Sequence, residues 1–516
     1  MHFKKITLVI IIGVIFSLGW ATADGLADDR PSLTVAVQQV TKHLDPMGFN
    51  ANVNERISNN IVEPLIGYNY ETGALEPCLA TDWKMVDDVT WDLTLRKNVK
   101  CHNGEDFNAY DVEYMLGPAR LMGKEAPGYG VGSVFLSTIK EVKALDSHKV
   151  RIMLNTPDPV ILNRLSGFVG QIPCADAFKK AESWEQWGLS LVGTGPYKVV
   201  EAKPGEIQRF EAFDGYWGAK APLKSLTFKV VPETSVRIAG LLAGDYDMIT
   251  ELNPDQFETI EKAPNLEIVG GPVRIIRIIH YDENNKVLAD PRMRRALSLA
   301  IDRQLIVDTL FSGKTAVPQG MQDPAFGDMF AKDFKPDGYD PKLAKKLLKE
   351  AGYKGETITY RYQTGYYANE AETAQVLQQM WKAVGVNVEL VLKENWSQIY
   401  DASDGTRGIF NWTATGYYSD PLGQIYRIWG PDGAAQNSLK IYVSPEMNAA
   451  TEGIFSIDKA TRLKSHKAML EVYERTDPPG TYLHFLPMFY AKRKNVHWND
   501  SGTAFMDFRA GGISVD

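Results

Sequence analysis

The segment that decides the fold reads Leu191-Val192-Gly193-Thr194-Gly195-Pro196-Tyr197-Lys198-Val199-Val200. Strand-forming residues stand on either side of a Gly-Thr-Gly-Pro turn. Glycine in such a turn tolerates positive φ, and proline fixes φ before the chain continues as strand. No helix start follows the glycines, so the pattern does not favour a phosphate-binding loop. We interpret this segment as a structural turn that ends a long insertion in the chain.

The length and the first residues of the chain predict an exported protein of several domains. At roughly 150 residues per domain, 516 residues correspond to two to four domains. Residues 1–23 have the pattern of a secretory signal peptide, with Lys4 and Lys5 before an apolar run at 6–18 and Ala21-Thr22-Ala23 at the cleavage point. The apolar run is too short to span a bilayer comfortably, and the sequence offers no later candidate. We therefore expect a periplasmic protein without a membrane anchor.

Charge and cysteine content narrow the possible partners. The formal net charge is −8, and it becomes −10 when Lys4 and Lys5 leave with the signal peptide. Nucleic acid binding needs a basic surface, so a nucleic acid partner is not expected. The three cysteines, Cys78, Cys101 and Cys174, allow at most one disulfide. We predict Cys78–Cys101, with buried free thiols as the open alternative.

The clearest secondary structure lies in the second half of the chain. Asp290 and Pro291 stand as N-cap and first residue of a helix that we expect to end at Gly313. Further on, alternating apolar residues at 358–362 predict a strand, the apolar stripe at 374–384 predicts a helix, and 386–392 predicts another strand. This order predicts a β-α-β unit with parallel strands, and hence an α/β domain.

Segments spread along the chain keep a fixed order. They are 93–104 with Tyr110-Asp111-Val112, 192–197 with Tyr216-Trp217, 241–247, and 290–303. Together they resemble the family 5 solute-binding proteins of ABC importers, the large periplasmic receptors for dipeptides, oligopeptides, nickel and related solutes. The resemblance runs from near residue 33 to past residue 490. No single segment is diagnostic, whereas the whole series in this order is highly specific.

This resemblance implies a two-lobed α/β periplasmic binding protein fold, type II-like and large, with an extra domain inserted in the first lobe. Lobe I would be discontinuous, with pieces at 24–51, 191–271 and 487–516. The inserted domain II is expected at 52–190, and lobe III at 272–486. Two chain crossings, near Gly270-Gly271 and near Pro487, would form the hinge. Ligand contact with both lobes would drive closure, and a membrane permease would recognise the closed form.

Two loops of lobe III would hold the solute, because ligands of open α/β sheets bind beyond the carboxyl ends of strands. Aromatic residues beside glycine in these loops can stack on a solute and donate hydroxyl hydrogen bonds. They give Tyr366, Trp412 and Tyr417 as candidate ligand-binding residues, with packing beneath the loops as the alternative. From lobe I, His43 lies in a turn that faces the cleft in this family, although a solvated turn is equally compatible with the sequence.

The charged residues among the candidate ligand-binding residues indicate which charges the solute could carry. Peptide-binding relatives carry an aspartate three positions after the Trp412 equivalent, where it pairs with the ammonium of the ligand, and this chain has Thr415 there. A buried ammonium needs a carboxylate partner, which Asp420 could supply from the same loop, unless it is only a turn residue before proline. Arg277, or Arg274 on the same strand, could bind a ligand carboxylate bidentately.

The expected function is that of a substrate-binding component, a monomer that captures a peptide or peptide-like solute and delivers it to an inner-membrane ABC permease. An opine, a sugar-containing solute or a nickel chelate are alternatives within the same role. We expect no enzyme, no catalytic residues, no cofactor and no metal site, because nucleophile-elbow, P-loop and zinc signatures are incomplete or absent in the sequence. A secreted hydrolase and a peptide chaperone are the alternatives from other classes.

Overall fold

A computed structural model describes residues 28–48, 52–70, 72–364, 366–416 and 418–516. The predicted signal peptide at 1–23 lies outside these residues. Within them, no helix combines the length and the apolar character needed to cross a membrane.

The strands fall into one large sheet, a four-stranded sheet and two small pairs. In chain order they are β1 (Ser32–Val37), β2 (Ile66–Tyr68), β3 (Leu75–Pro77), β4 (Ala80–Asp87), β5 (Thr90–Leu95), β6 (Ile139–Asp146), β7 (Lys149–Leu154), β8 (Tyr197–Lys203), β9 (Ile207–Ala212), β10 (Ser225–Val230), β11 (Met248–Ile249), β12 (Leu266–Tyr281), β13 (Thr357–Tyr362), β14 (Asn387–Leu392), β15 (Ile409–Thr415), β16 (Gly480–Arg493), β17 (Val496–Trp498) and β18 (Ile513–Val515).

Most helices are short and cover the faces of the two larger sheets. In chain order the α-helices are α1 (Asn52–Ser58), α2 (Ala109–Met115), α3 (Tyr129–Phe135), α4 (Ile161–Ser166), α5 (Ala175–Lys180), α6 (Trp184–Leu189), α7 (Thr234–Ala243), α8 (Phe257–Glu261), α9 (Pro291–Leu299), α10 (Arg303–Leu310), α11 (Pro341–Glu350), α12 (Glu370–Ala383), α13 (Trp396–Tyr400), α14 (Ile425–Trp429), α15 (Ala434–Asn437), α16 (Pro445–Ala450) and α17 (Lys459–Glu471). Single turns of 3₁₀-helix lie at Phe168–Gly170, Pro254–Gln256 and Pro421–Gly423, and two consecutive turns with a kink at Gly327 lie at Pro324–Met329. Turns of π-helix lie at Pro118–Met122 and Val472–Thr476.

The large sheet consists of two halves that share two strands. Its order is β14-β13-β15-β12-β16-β11-β1-β10-β9-β8. We call β1 and β8–β11 with their helices the first half, and β13–β15 with theirs the second half. Only the antiparallel pair β12 and β16 extends through both, because β11 pairs with β16 at one end and β15 pairs with β12 at the other.

The ladder between β12 and β16 is interrupted where the two halves meet. Pro272 pairs with Pro487, and pairing resumes with Ile276 opposite Phe485, so that residues 273–275 stand opposite Leu486 alone. An unequal count of residues bends a strand pair and increases its twist. The interruption therefore redirects the second half relative to the first, and the cleft opens beside it.

Alternation along the strands places apolar side chains on both faces of the sheet. In β1, Leu33 and Val35 face a large core cluster, while Ala36 faces a smaller cluster beneath α7 and α8. In β12, Ile278 and Ile279 likewise belong to two different clusters of the second half. Both halves are thus covered on both faces, as expected for an α/β sheet.

The four-stranded sheet has the order β4-β5-β7-β6, and with α2–α6 it forms what we call the four-stranded unit. Its core is continuous with that of the first half. Asp45, between β1 and α1, accepts hydrogen bonds from Arg120 and from Trp187 Nε1 of the unit, and Asp45 and Arg120 are both fully buried. Burial opposes ionisation of this carboxyl, but Arg120 and Trp187 hold the pKa of Asp45 below its usual range. A buried ion pair therefore joins the unit to the first half.

The turn quoted at the outset begins β8 as predicted, but its glycines are needed for a different reason. Neither Gly193 nor Gly195 has positive φ. A Cβ atom on Gly193 would lie 2.2 Å from the carbonyl oxygen of Ile61, and one on Gly195 would lie 2.7 Å from the carbonyl carbon. The glycines allow close approach of two backbone segments, and residues 191–192 before them form no strand.

The predicted helix starts and the β-α-β unit are confirmed, with one correction. Asp290 caps α9, with Pro291 as its first residue, and β13 and β14 pair in parallel on either side of α12. The prediction of one helix ending at Gly313 is wrong. Asp302 accepts a hydrogen bond from Leu305 N at 3.0 Å, and this second N-cap starts α10 separately from α9.

The predicted disulfide Cys78–Cys101 is wrong, since Cys101 is bonded to Cys174 and Cys78 is a buried free thiol. Cys101 follows β5, and Cys174 precedes α5 near the turn at Gly193. The pair is 73 residues apart in sequence, so only the tertiary fold brings the two sulfur atoms together. Burial raises the pKa of the Cys78 thiol well above its usual range, so this thiol is protonated at neutral pH.

Removal of the disulfide in a Cys101→Ala/Cys174→Ala variant is expected to lower the free energy of unfolding by about 4 kcal/mol, because it frees a 73-residue loop in the unfolded chain. Urea unfolding followed by circular dichroism measures the loss. Cys78→Ala is the matched control, with an expected loss of about 1 kcal/mol. Equal losses in the two variants would contradict a stabilising role for the bond.

Candidate functional site

A first cavity lies between the second half and the four-stranded unit, where β12 and β15 approach that unit. It has a volume of about 70 Å³ and is partly open to solvent. Residues from five regions line it: Tyr68 and Tyr70 at the β2–β3 hairpin, Ser166 and Gly167 after α4, Arg274 and Ile275 on β12, Thr415, Gly416 and Ser419 at and after the end of β15, and Thr503 and Ala504 near the C-terminus. A solute in this cavity would contact the second half and the four-stranded unit at once.

Polar contacts already span this cavity. The hydroxyl groups of Tyr68 and Ser419 are 2.6 Å apart, and Arg274 donates to the Tyr70 carbonyl at 2.8 Å. The guanidinium of Arg164, from the four-stranded unit, lies 5.3 Å from the ring centroid of Tyr418 in the second half. These contacts connect the β2–β3 hairpin and the four-stranded unit to β12 and the second half, and we call the state in which they are formed the closed arrangement.

One apolar residue of the four-stranded unit also crosses to the second half. Val160, just before α4, is 3% exposed and belongs to the core cluster of the second half rather than to that of its own unit. The four-stranded unit is therefore packed against the second half beside the first cavity.

A second cavity of about 40 Å³ lies beside the ladder interruption, along β16. The first half contributes Gln38, Arg56 and Glu251, the second half contributes Tyr366 and Tyr367, and the crossing strand β16 forms the wall between them. Both cavities are therefore built from residues on the two sides of the cleft.

The charges around the two cavities favour an anionic or neutral solute. Among the described residues that line the first cavity, Arg274 is the one charged side chain and there is no carboxylate. The second cavity has Arg56 and Glu251, which are paired with each other. A free ammonium in the first cavity would lack a counter-charge from the described lining, at a cost of several kcal/mol if it were fully buried.

Asp420, the candidate partner for an ammonium, is already paired. Both of its carboxylate oxygens accept from Arg462 Nη2 at 2.7 Å, and Oδ1 also accepts from Leu422 N at 3.0 Å. The residue is 5% exposed and caps the 3₁₀ turn Pro421–Gly423. Burial raises the pKa of Asp420, although Arg462 opposes the shift. The structure thus places Asp420 in a buried pair within the second half.

Arg277 and Tyr366 are brought together through Tyr367. The guanidinium of Arg277 stacks 3.7 Å from the ring centroid of Tyr367 and donates to the Trp412 carbonyl at 2.9 Å. Tyr366 packs edge-on against Tyr367 and lines the second cavity. Tyr366 is therefore exposed to a solute in that cavity, whereas Arg277 is buried behind the aromatic pair.

Two of the three remaining candidates, Trp412 and His43, lie away from the described cavity linings. Trp412 is half-buried, with its ring against those of His280 and Tyr400. His43 is buried, and its ring lies 4.3 Å from that of Trp184 at the contact with the four-stranded unit. Tyr417 lies outside the described residues. Ligand binding by these three residues stays a prediction.

The sequence analysis missed several residues that line the cavities, notably Tyr68, Arg56 and Glu251. Tyr68 follows a glycine in an aromatic segment, the same signal that selected the loops of the second half. Arg56 and Glu251 carry no local signal, because they are 195 residues apart and only the fold pairs them.

Glu370, at the start of α12, is an unusual buried acid behind the second cavity. It is 3% exposed, contacts Asn411 Nδ2, and accepts from Tyr367 N at 3.4 Å. Burial raises the pKa of the Glu370 carboxyl to about 7, although the charge of Arg277 opposes the shift. Ionisation of this group at neutral pH therefore costs stability.

A metal site receives no support from the described residues. None of the histidine, cysteine, aspartate and glutamate side chains there form a group of three or more that could hold an ion. The described lining of both cavities also lacks histidine and cysteine.

Comparison with known proteins gives one consistent family. Residues 74–436 match the model of the bacterial extracellular solute-binding proteins, family 5. The dipeptide-binding protein of Escherichia coli K12 is 28% identical over 423 residues, which cover 76% of this chain and 79% of that protein. DppA from Helicobacter pylori, solved with the peptide STSA, has a TM-score of 0.82 at 22% identity and covers 94% and 98% of the two chains. AgaA from A. tumefaciens R10, solved with agropinic acid, has a TM-score of 0.79 at 22% identity and covers 94% and 99%.

Replacement of Glu370 by Gln is expected to change how stability depends on pH. With a folded pKa of about 7 against an ordinary value of 4.5, the wild-type carboxyl contributes its full stability below pH 4.5 and loses it as the pH rises through 7. Relative to Glu370→Gln, the wild type should therefore lose about 3 kcal/mol across this window. Urea unfolding at a series of pH values measures the difference, and Glu372→Gln, exposed on the same helix, is the control. A constant difference between wild type and Glu370→Gln across this range would refute the shift.

Proposed function

The chain belongs to the bacterial extracellular solute-binding proteins of family 5, and from this membership we propose that it captures a peptide-like solute between the two halves of its sheet and delivers it to an ABC permease of the inner membrane. The observation that carries the proposal is the cleft itself. Each of its two cavities is lined by residues from both sides, and the two halves are connected within the sheet by β12 and β16 alone.

Closure would follow from contacts that the solute makes with both halves. A ligand shifts a conformational equilibrium only by the difference in its affinity for the two states. A solute in the first cavity contacts Tyr68 on one side and Thr415 on the other in the closed arrangement. Because separation of the halves removes one of these contacts, the solute favours the closed form, which is the form that a permease can distinguish from the empty receptor.

We propose a solute without a free ammonium group. Thr415 and the other described residues of the first cavity offer no carboxylate, and Asp420 is already paired with Arg462. A peptide with a blocked amino terminus or an opine-like compound fits this lining better than an ordinary peptide. One relative is named for dipeptides, which carry a free ammonium group, whereas a structural neighbour was solved with agropinic acid, so solutes of more than one class occur among proteins of this fold.

The location of the protein, its oligomeric state and its lack of catalysis are part of the same proposal. We place the protein in the periplasm, which agrees with the leader pattern at 1–23 and with a disulfide between Cys101 and Cys174, because such bonds persist in oxidising compartments. We propose that it acts as a monomer, binds no nucleic acid and carries out no catalysis, so the solute leaves chemically unchanged.

Native mass spectrometry of the exported protein tests the capture of a solute. We expect one small molecule per chain, released on denaturation and recovered unchanged after incubation with fresh protein. Titration of alanyl-alanine and N-acetyl-alanyl-alanine should show tighter binding of the acetylated form, because its amine carries no charge. Conversion of the bound molecule, or tighter binding of the free amine, would contradict the proposal.

Tyr68→Phe tests whether closure contributes to affinity. The variant removes one hydroxyl that contacts Ser419 across the cavity in the closed form. Loss of such a hydrogen bond should raise the Kd for N-acetyl-alanyl-alanine by about 2- to 10-fold. Isothermal titration calorimetry measures the change. Tyr110→Phe, exposed on the four-stranded unit, is the matched control and should leave the Kd unchanged. The same Kd in both variants would show that this contact plays no part in binding.

A further inference from the structure

Arg56, which lines the second cavity, has buried hydrogen-bond donors without an acceptor. The side chain is 4% exposed and lines the cavity, and its Nη2 donates to Glu251 Oε1. Its Nε and Nη1 atoms are buried without a hydrogen-bond partner among the described residues. Buried guanidinium donors are almost always satisfied, so two free donors on one side chain that lines a cavity indicate a missing acceptor.

The charges around Arg56 also leave room for an anion. Glu251 lies next to two guanidinium groups, those of Arg56 and Arg237, and is the acidic residue paired with them. Arg237 is satisfied by backbone carbonyls, including those of Val231 and Thr250. Two buried cations therefore face one partly buried carboxylate, because the other acid that acts on Arg237, Glu233, is exposed. A further negative charge beside Arg56 would balance them.

The backbone at Glu251 is held in an unfavourable conformation. Its φ is 53°, in the left-handed region that residues other than glycine rarely adopt. In this position its carboxylate contacts Thr250 Oγ1 and Arg56 Nη2. Strained residues of this kind often occur at ligand sites, where the surrounding structure fixes a side chain in place. Here the contact with Glu251 occupies one nitrogen of Arg56 and leaves the other two free.

The other arginines of the cleft, Arg274 and Arg277, already use their donors within the protein. Arg274 donates to the Tyr70 carbonyl and to the Tyr68 hydroxyl, and so contributes to closure. Arg277 stacks on Tyr367 and donates to a backbone carbonyl. Among the described cavity-lining arginines, Arg56 is the one with two buried donors that lack an acceptor.

We propose that Arg56 is the oxyanion-binding residue of the solute site and that its Nη1 donates a charge-assisted hydrogen bond to a carboxylate oxygen of the solute. The inference rests on the proposed function and specifies the solute class: a peptide-like compound that carries a carboxylate and no free ammonium. Gln38 and Tyr366 line the same cavity and can donate to the remaining lone pairs.

Acetate, a carboxylate without any peptide character, tests the subsite by itself. The melting temperature of the full chain is measured in sodium acetate and in sodium chloride at equal ionic strength. A ligand that binds only the folded state raises Tm, so acetate should raise the Tm of the wild type above its value in chloride. The effect should be lost in Arg56→Gln/Glu251→Gln, which removes both members of the pair, while Arg237 keeps its hydrogen bonds to backbone carbonyls.

The control variant is Arg209→Gln/Glu201→Gln, which removes a surface arginine–glutamate pair on the edge hairpin, where the two groups are 2.8 Å apart. It should keep the acetate effect of the wild type. An equal effect in the Arg56 double variant, or no effect in the wild type, would overturn the proposal.

A pair of peptide probes separates this inference from the proposed function. Amidation of N-acetyl-alanyl-alanine removes its carboxylate and should raise the wild-type Kd by at least about tenfold. Binding of acid and amide with equal Kd would overturn the role of Arg56 and leave the receptor function intact. No binding of either peptide, with the acetate effect present, would reject the peptide-like class while supporting the oxyanion subsite.

Discussion

The interruption of the ladder between β12 and β16 is the constraint on which the site depends. Within the large sheet these two strands alone connect the halves, and their pairing is broken between Pro272 and Ile276. Each half is covered on both faces by apolar core clusters. The first cavity is lined by Arg274 and Ile275, within the interruption, and the second by Leu486, the residue opposite them. The strand crossing thus determines both where the cleft lies and which residues line it.

The charge that the cleft offers to a solute depends on which charged residues already have partners within the protein. Several buried charged residues near the cleft have such partners: Asp420 is paired with Arg462, and Arg277 is stacked on Tyr367. What remains for a solute is positive, because the described lining includes Arg274 and Arg56 but no carboxylate that is free of an arginine. The cleft is therefore suited to a solute of the opposite sign, even though the chain as a whole carries a net negative charge.

Local signals in the sequence predicted the parts of the fold that short segments determine. The cap at Asp290 and the β-α-β unit around α12 need only neighbouring residues, and both were found where the sequence places them. The disulfide to Cys174, the pairing of Asp420 with Arg462 and that of Arg56 with Glu251 depend on contacts between residues 42 to 195 positions apart. Such partners are determined by the tertiary fold. The sequence therefore shows that a loop residue is polar or aromatic, but not whether another side chain already pairs with it.

Val160 has a consequence for how the four-stranded unit can move. Its side chain belongs to the apolar core cluster of the second half, although its own unit shares a core with the first half. If the unit moved away from the second half, this side chain would be exposed to water at a cost of about 1.5 to 3 kcal/mol. A single valine therefore stabilises the contact between the unit and the second half, whether or not a solute is present.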